Sequence, residues 1–302
     1  MCGIVGYVGV RNAESILLEG LSRLEYRGYD SAGVATLEGH RLHVRKKTGR
    51  IVQLREELRR RPCPGSLGIG HTRWATHGPP SDRNAHPHIA GEGRCQVAVV
   101  HNGVIENYAA LRRKLQDEGV VFRSDTDSEV IAHLISRHLQ DDLAAAVATV
   151  LPLLKGTYGL AVVSPVQPNL LVGARLGSPL VVGIGNHEQF LASDPLALAG
   201  RAKQVAYLAD RQVCVLQAEE WAIHDPDQVK TSLALHDLST DEVDIERGRF
   251  DHYMLKEIYE QPEALENALR GRLDDADATA RFGGLNLTNQ QLREVDRIIL
   301  TA

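Results

Sequence analysis

At 302 residues, with 43% hydrophobic and 24% charged side chains, the chain has the composition of a soluble globular protein, with room for one large domain or one domain and part of another. A net charge of −5, with neither half strongly basic, excludes a nucleic-acid binder held by phosphate contacts. No apolar run approaches the roughly 20 residues that span a bilayer, no signal peptide opens the chain, and four cysteines without C-x-x-C spacing point to a reducing, cytoplasmic compartment.

The chain opens MCGIVGYVG, with Cys2 directly behind the initiator Met. Removal of Met1 would leave one residue carrying both a thiol and a free α-amine. The amine has an unperturbed pKa of about 7.7–8.0 and is a ready base, and the thiol is a strong nucleophile near neutral pH. A small residue at the start of a strand is the plainer reading of Cys2 taken alone. Gly3 to Val10 reads as a buried strand, and Ala13 to Glu25 as a helix with Leu17, Leu21 and Leu24 on one face. Val34–Leu37 and Arg41–Lys46 read as strands joined by a turn at Gly39, and Ile51 to Arg60 as a helix. Leu67–His71 and Val97–His101 are two further apolar strands.

Between those two strands lies Thr72 to Arg94, rich in Gly, Pro, His and Asn, and a loop of that length in a compact domain is usually functional or disordered. Helices follow at Glu106–Glu118, Ser128–Leu139 and Leu143–Leu154, with Asp127 or Ser128 as a cap for the second. From Gly156 short apolar runs come at close spacing, at Leu160–Val163, Leu170–Ala174, Leu180–Gly185, Phe190–Ala192, Gln204–Leu208, Val213–Leu216 and Trp221–His224. Turn residues separate them, which predicts antiparallel sheet. Two sheets with helices outside them is the natural packing. His236 to Asp251 is polar and aperiodic and reads as a linker. Tyr253 to Arg270 is helical again, and Arg297 to Leu300 is an apolar run that suggests a second domain in part only.

Three segments share a logic suited to amide hydrolysis: Cys2, the stretch HTRWATHG (His71–Gly78), and HNG (His101–Gly103). Asn102-Gly103 is a turn pair by composition. It can equally supply a side-chain amide and an unshielded N–H to a developing oxyanion. Arg73 reads as a surface salt-bridge partner or as a clamp for a substrate carboxylate. Asp127 reads as a helix cap or as the partner of a substrate ammonium. His77, His86 and His88 do not form a strong zinc signature, and no metal is expected. Dinucleotide, P-loop and nucleophile-elbow motifs are absent from the sequence.

Taken with LEYRGYDSAG (Leu24–Gly33), NAHPH, HNGVIEN (His101–Asn107) and SDTDSEVIAHL (Ser124–Leu134), these segments resemble the glutaminase domain of the glutamine–fructose-6-phosphate aminotransferase family. The wider group is the class II glutamine amidotransferases, which include the phosphoribosyl-pyrophosphate type. The resemblance is strong over residues 2–235 and resumes at HYMLKEIYEQP (His252–Pro262). It implies an α+β fold, a four-layer α/β/β/α sandwich of the N-terminal-nucleophile hydrolase type with mainly antiparallel sheets. A glutaminase domain is expected at 2–235, a linker at 236–251, and an incomplete sugar-phosphate isomerase domain at 252–302. The resemblance implies Cys2 as nucleophile and N-terminal base, Asn102 and Gly103 as the oxyanion hole, and Arg73, Thr76, His77 and Asp127 as glutamine-binding positions. Arg27 and Trp74 match positions around the site. Glutamine is the expected ligand, and no cofactor is implied. Fructose 6-phosphate would bind only through the part of the family's chain that is missing here. A homodimer is compatible with the full-length form.

Overall fold

The computed structural model describes residues 2–225, 235–238, 250, 253–269, 273–274, 279–280, 290 and 293–297. The chain divides into two units, Met1–Val243 and Asp244–Ala302.

The first unit opens with β1 (Gly3–Val8), α1 (Ala13–Arg23), β2 (Ser31–Glu38), β3 (Arg41–Thr48) and α2 (Ile51–Arg60). It continues through β4 (Leu67–Arg73), β5 (His88–Ala90), β6 (Val97–Ile105), α3 (Tyr108–Asp117), α4 (Glu129–His138) and α5 (Leu143–Val150). Then come β7 (Gly156–Val163), β8 (Leu171–Leu176), β9 (Val181–Ile184), β10 (Gln189–Ala192), β11 (Gln204–Tyr207), β12 (Val213–Leu216), β13 (Trp221–His224) and β14 (His236–Asp237). An eight-stranded sheet runs β14-β11-β9-β10-β1-β4-β2-β3, and a six-stranded sheet runs β13-β12-β8-β7-β6-β5. Neighbours pair antiparallel in both sheets.

The two-residue period of the strands sorts side chains into three cores. On β1, Val5 and Tyr7 face α1 and α2 with Leu17, Leu21, Leu54 and Leu58. Ile4 and Val8 face the opposite way and meet Ala98, Val100, Ala161 and Leu171 of the second sheet. On β6 and β7, Val97, Val99, Leu160 and Val162 turn outward to Val130, Ile131, Ile135 and Val147 of α4 and α5. Helices, sheet, sheet and helices therefore form four layers. The inner strands are buried on both faces, which is why they read as unbroken apolar runs rather than as alternation.

Local differences from the sequence reading bear on the site. α1 ends at Arg23, and Glu25–Arg27 tighten into a 3-10 turn that carries Arg27 away from the helix axis. β4 extends two residues past His71, because Ser31 and Ala32 of β2 pair with Arg73 and Thr72. β6 continues through Asn102 and Gly103, which lie opposite Gly159 and Tyr158 of β7, so Asn-Gly is not a turn here. The expected loop 72–94 contains the end of β4 and all of β5. His236 and Asp237, at the head of the expected linker, pair with Val205 and Gln204; residues 239–249 and 251 of that linker lie outside the described residues.

In the second unit α6 (Tyr253–Leu269) carries Pro262 in its interior. Leu273–Asp274 pair antiparallel with Thr279–Ala280. Of the expected terminal strand Arg297–Leu300, residues 298–300 lie outside the described residues.

Candidate active site

Strand register builds the site. Gly3 pairs with Thr72, so Cys2, one residue before β1, sits beside Arg73 and Trp74 at the end of β4. The Trp74 N–H donates to Cys2 Sγ at 3.2 Å, and Sγ lies 3.5 Å from Trp74 O. From the second sheet, Asn102 Nδ2 donates to Cys2 O at 2.9 Å across 100 residues of sequence. The two sheets thus meet at this end, and a cleft of about 220 Å³ opens there. Cys2, Arg27, Arg73, Trp74, Thr76 and Asn102 line it together with Gly103 and Asp127. His77 is not among the lining residues; its ring lies 5.4 Å from that of Tyr108.

Burial raises the Cys2 thiol pKa above its ordinary value, while the Trp74 N–H and the Arg73 and Arg27 cations pull it down. Burial outweighs the opposing pull of Arg45, Thr36 and Arg61 at Cys63 and of backbone N–H groups at Cys214, and these thiols are pushed up to about 11 and about 12. Cys2 is the half-buried thiol that opens on the cleft.

Gly103 has φ +132, and a Cβ there would stand 2.1 Å from Thr157 O of the paired strand. Only glycine fits this backbone next to β7. Arg73 is 3% exposed, which overturns the surface salt-bridge reading. Its guanidinium donates to the carbonyls of His77, Gly78 (3.0 Å) and Pro79 (3.5 Å), gathering the 77–79 loop around it. Burial lowers its pKa, against the pull of Asp127 and Asp30. Arg27 pairs with Asp194 at 2.5 Å.

Asp127 is buried, and its carboxylate accepts from Ile105 N–H at 2.8 Å and from the Ser128 hydroxyl at 3.3 Å. Neither Asp127 nor Ser128 caps α4 with its side chain, a correction of the expected role. The Ser128 hydroxyl oxygen also lies 2.8 Å from His101 Nδ1. His77, His86 and His88, weighed above as zinc ligands and set aside, have other surroundings. His86 packs between His71 and His88, with ring centroids 4.2 Å apart and tilted by 37° for His71–His86, and 4.5 Å apart and edge to face at 70° for His86–His88. Among the described residues no group of three or more His, Cys, Asp or Glu side chains is placed to hold a metal ion.

Sequence reasoning missed His71, His86, His101, Val104, Thr126, Ser128, Ser178 and Pro179. Of these, His71 alone does not line the cleft. His71 and His101 lay in the motifs already singled out. Ser178 and Pro179, from the β8–β9 connection, carried no local signal.

The arrangement sets a thiol, an amide donor, a buried cation and a buried carboxylate around one cleft. That is what a zwitterionic amino acid with a side-chain amide requires. The glutamine amidotransferase domain family matches residues 59–232. The chain belongs to this family. Cys2 and Arg27 lie before the matched segment, but curated relatives align across them. The glutamine–fructose-6-phosphate aminotransferase (isomerizing) of Caldanaerobacter subterraneus subsp. tengcongensis is 43% identical over 302 residues, covering 100% of this chain and 49% of the relative. That of Aquifex aeolicus is 49% identical over 278 residues, covering 92% of this chain and 47% of the relative. The chain therefore spans about half the length of the curated relatives it matches. Among solved structures, the glutamine phosphoribosylpyrophosphate amidotransferase of B. subtilis superposes with a TM-score of 0.67 at 26% identity, over 74% of this chain and 49% of that one. The α+β fold is the four-layer one of the class II glutamine amidotransferases, the N-terminal-nucleophile hydrolase type. No helix among the described residues is long and apolar enough to cross a membrane.

Proposed function

We propose that residues 2–235 form a glutaminase domain that hydrolyses glutamine to glutamate and ammonia. The observation that carries this reading is the meeting of Cys2 with Asn102 at the rim of a cleft that also holds Arg73 and Asp127. With Met1 removed, the Cys2 α-amine takes the thiol proton, directly or through a water. The thiolate attacks the carbon of the glutamine side-chain amide. One Asn102 Nδ2 hydrogen is bonded to Cys2 O, and the second, with the Gly103 N–H, receives the oxyanion. The tetrahedral adduct collapses, the amide nitrogen leaves as ammonia with the proton returned by the amine, and a thioester remains. Water activated by the same amine then cleaves the thioester, releasing glutamate and restoring the thiol. Arg73 and Thr76 hold the α-carboxylate end, Asp127 takes the α-ammonium, and Arg27, Trp74 and His77 shape the surroundings.

In the longer cytoplasmic protein, the ammonia aminates fructose 6-phosphate to glucosamine 6-phosphate. Residues 236–251 serve as the linker, and 252–302 begin a sugar-phosphate isomerase domain. Fructose 6-phosphate binds through that domain, and a homodimer suits the full-length form. The 43–49% identity to the sugar enzymes favours this over the phosphoribosyl-pyrophosphate type, at 26%. The test incubates polypeptide 1–302 with glutamine and fructose 6-phosphate. Glutamate release without amino sugar is expected. Absence of glutamate would favour a glutamine-binding module without catalysis, and amino sugar in proportion to glutamate would place the second site within these residues.

A further inference from the structure

We propose that His71 is a positioning residue for the oxyanion site, holding the Asn102 amide with its NH2 group toward Cys2 through a hydrogen bond that joins the two sheets. This rests on the reading of Asn102 given above.

The side-chain amide of Asn102 is nearly symmetric in shape, and only its partners decide which end is the donor. His71 Nε2 lies 3.1 Å from His101 O and 3.0 Å from Asn102 Oδ1. A backbone carbonyl only accepts, so Nε2 carries the hydrogen, and the Asn102 atom beside it is an oxygen. At the other end of the amide, Cys2 O lies 2.9 Å from Nδ2 and also only accepts. Two carbonyls of fixed character thus determine both the imidazole tautomer and the amide orientation. Turning the amide over would set NH2 against Nε2–H and Oδ1 against Cys2 O, replacing two attractions by two repulsions.

The ring is itself held still. His71 is fully buried, lies on β4 with its neighbours fixed by pairing to β1 and β2, and stacks on His86. Burial lowers its pKa to about 3, so it is a neutral donor throughout the working range. Nδ1 has no hydrogen-bond partner among the described residues, so both polar contacts of the ring are made by Nε2. Donation into Oδ1 also polarises the amide and strengthens its N–H groups as donors. His71 does not line the cleft.

The experiment measures kcat and KM for glutamine in His71→Leu and His71→Gln, each in the wild-type and the Asn102→Ala background. His71→Leu should lower kcat about tenfold or more with KM within about twofold. His71→Gln, which keeps a donor, should recover most of the rate. In the Asn102→Ala background His71→Leu should change kcat less than about twofold, because the group it positions is gone. Losses that simply multiply in the double variant, or a rise in KM at constant kcat, would overturn the proposal. An activity-independent arm records nitrogen-15 spectra of the wild-type chain at pH 7 for the His71 ring and the Asn102 side chain. A neutral Nε2–H tautomer is expected, with the Asn102 NH2 signals shifting in His71→Gln. An Nδ1–H tautomer, an imidazolium, or unmoved Asn102 signals would sink it. A wild-type chain that releases no glutamate would refute the glutaminase reading, and the spectra would still decide whether His71 sets the amide.

Discussion

Cys2 is separated from the other thiols by where its sulfur lies. Cys63 and Cys214 are sealed in the cores, Cys95 is exposed outside the cleft, and Cys2 alone opens on the cleft with two cations nearby. Replacing it by Ala removes a half-buried sulfur and no core packing. Cys2→Ala should therefore abolish glutamate release while stability to urea stays within about 0.5 kcal/mol; retained turnover would refute the nucleophile assignment. Intact mass of the active protein should correspond to a chain starting at Cys2, since Met1 would convert the amine into an amide. Full activity with Met1 retained would refute the N-terminal base. Arg73 donates to the carbonyls of His77, Gly78 and Pro79, and in the proposed reading it also holds the α-carboxylate of glutamine. Its loss removes charge-assisted bonding remote from the breaking bond, worth about 1.5–3 kcal/mol. Arg73→Ala should raise KM roughly 10- to 150-fold, more than it lowers kcat. A KM within about twofold of wild type would leave Arg73 as a loop support only.

At the scale of the element, β6 decides how Asn102 and Gly103, the proposed oxyanion donors, are held. A pair that reads locally as a turn is drawn into a strand by pairing with Gly159 and Tyr158 of β7. Register then orients the amide and Gly103 N–H more rigidly than a turn could. Gly103→Ala places a side chain at φ +132 and against Thr157 O. The conformation alone costs about 1–3 kcal/mol, and the clash forces β6 from β7. The variant should unfold at lower urea concentration and lose kcat more than KM, as read by denaturation and steady-state kinetics together. Wild-type stability would show that β6 relaxes freely there. α2 and β12, by contrast, have the bounds that periodicity predicts, Ile51–Arg60 and Val213–Leu216. Their neighbours reinforce the local preference.

The whole molecule carries its own pH signature. His71, His86, His88 and His101 are buried, and burial pushes each below its ordinary pKa, with His71 at about 3. Arg73 and Lys46 push the same way, while Glu129 and Asp127 oppose the shift of His88 and His101 respectively. In the unfolded chain each takes a proton near pH 6.5. Below that value the unfolded state binds protons that the folded state refuses, so folding stability is full above about pH 6.5 and falls as pH drops toward 3. Each histidine that stays neutral contributes a slope of up to about 1.4 kcal/mol per pH unit. Urea denaturation between pH 4.5 and 7.5 should show this decline, and a flat profile would mean that these imidazoles are charged in the fold.

Sequence by itself determined the elements and the chemical vocabulary. Periodicity placed the helices and the apolar strands, and Cys2, HTRWATHG and HNG named the groups for amide chemistry. Both depend on neighbours within a few residues, which sequence displays directly. Tertiary structure decided which groups meet. Asn102 reaches Cys2 across 100 residues, and His71 reaches Asn102 from the other sheet, through contacts that leave no local period. It also decided between readings that composition left open: Asn102-Gly103 became strand, and Arg73 became buried. In each case burial and strand pairing supplied the deciding energy. Both belong to the assembled sheets rather than to any segment.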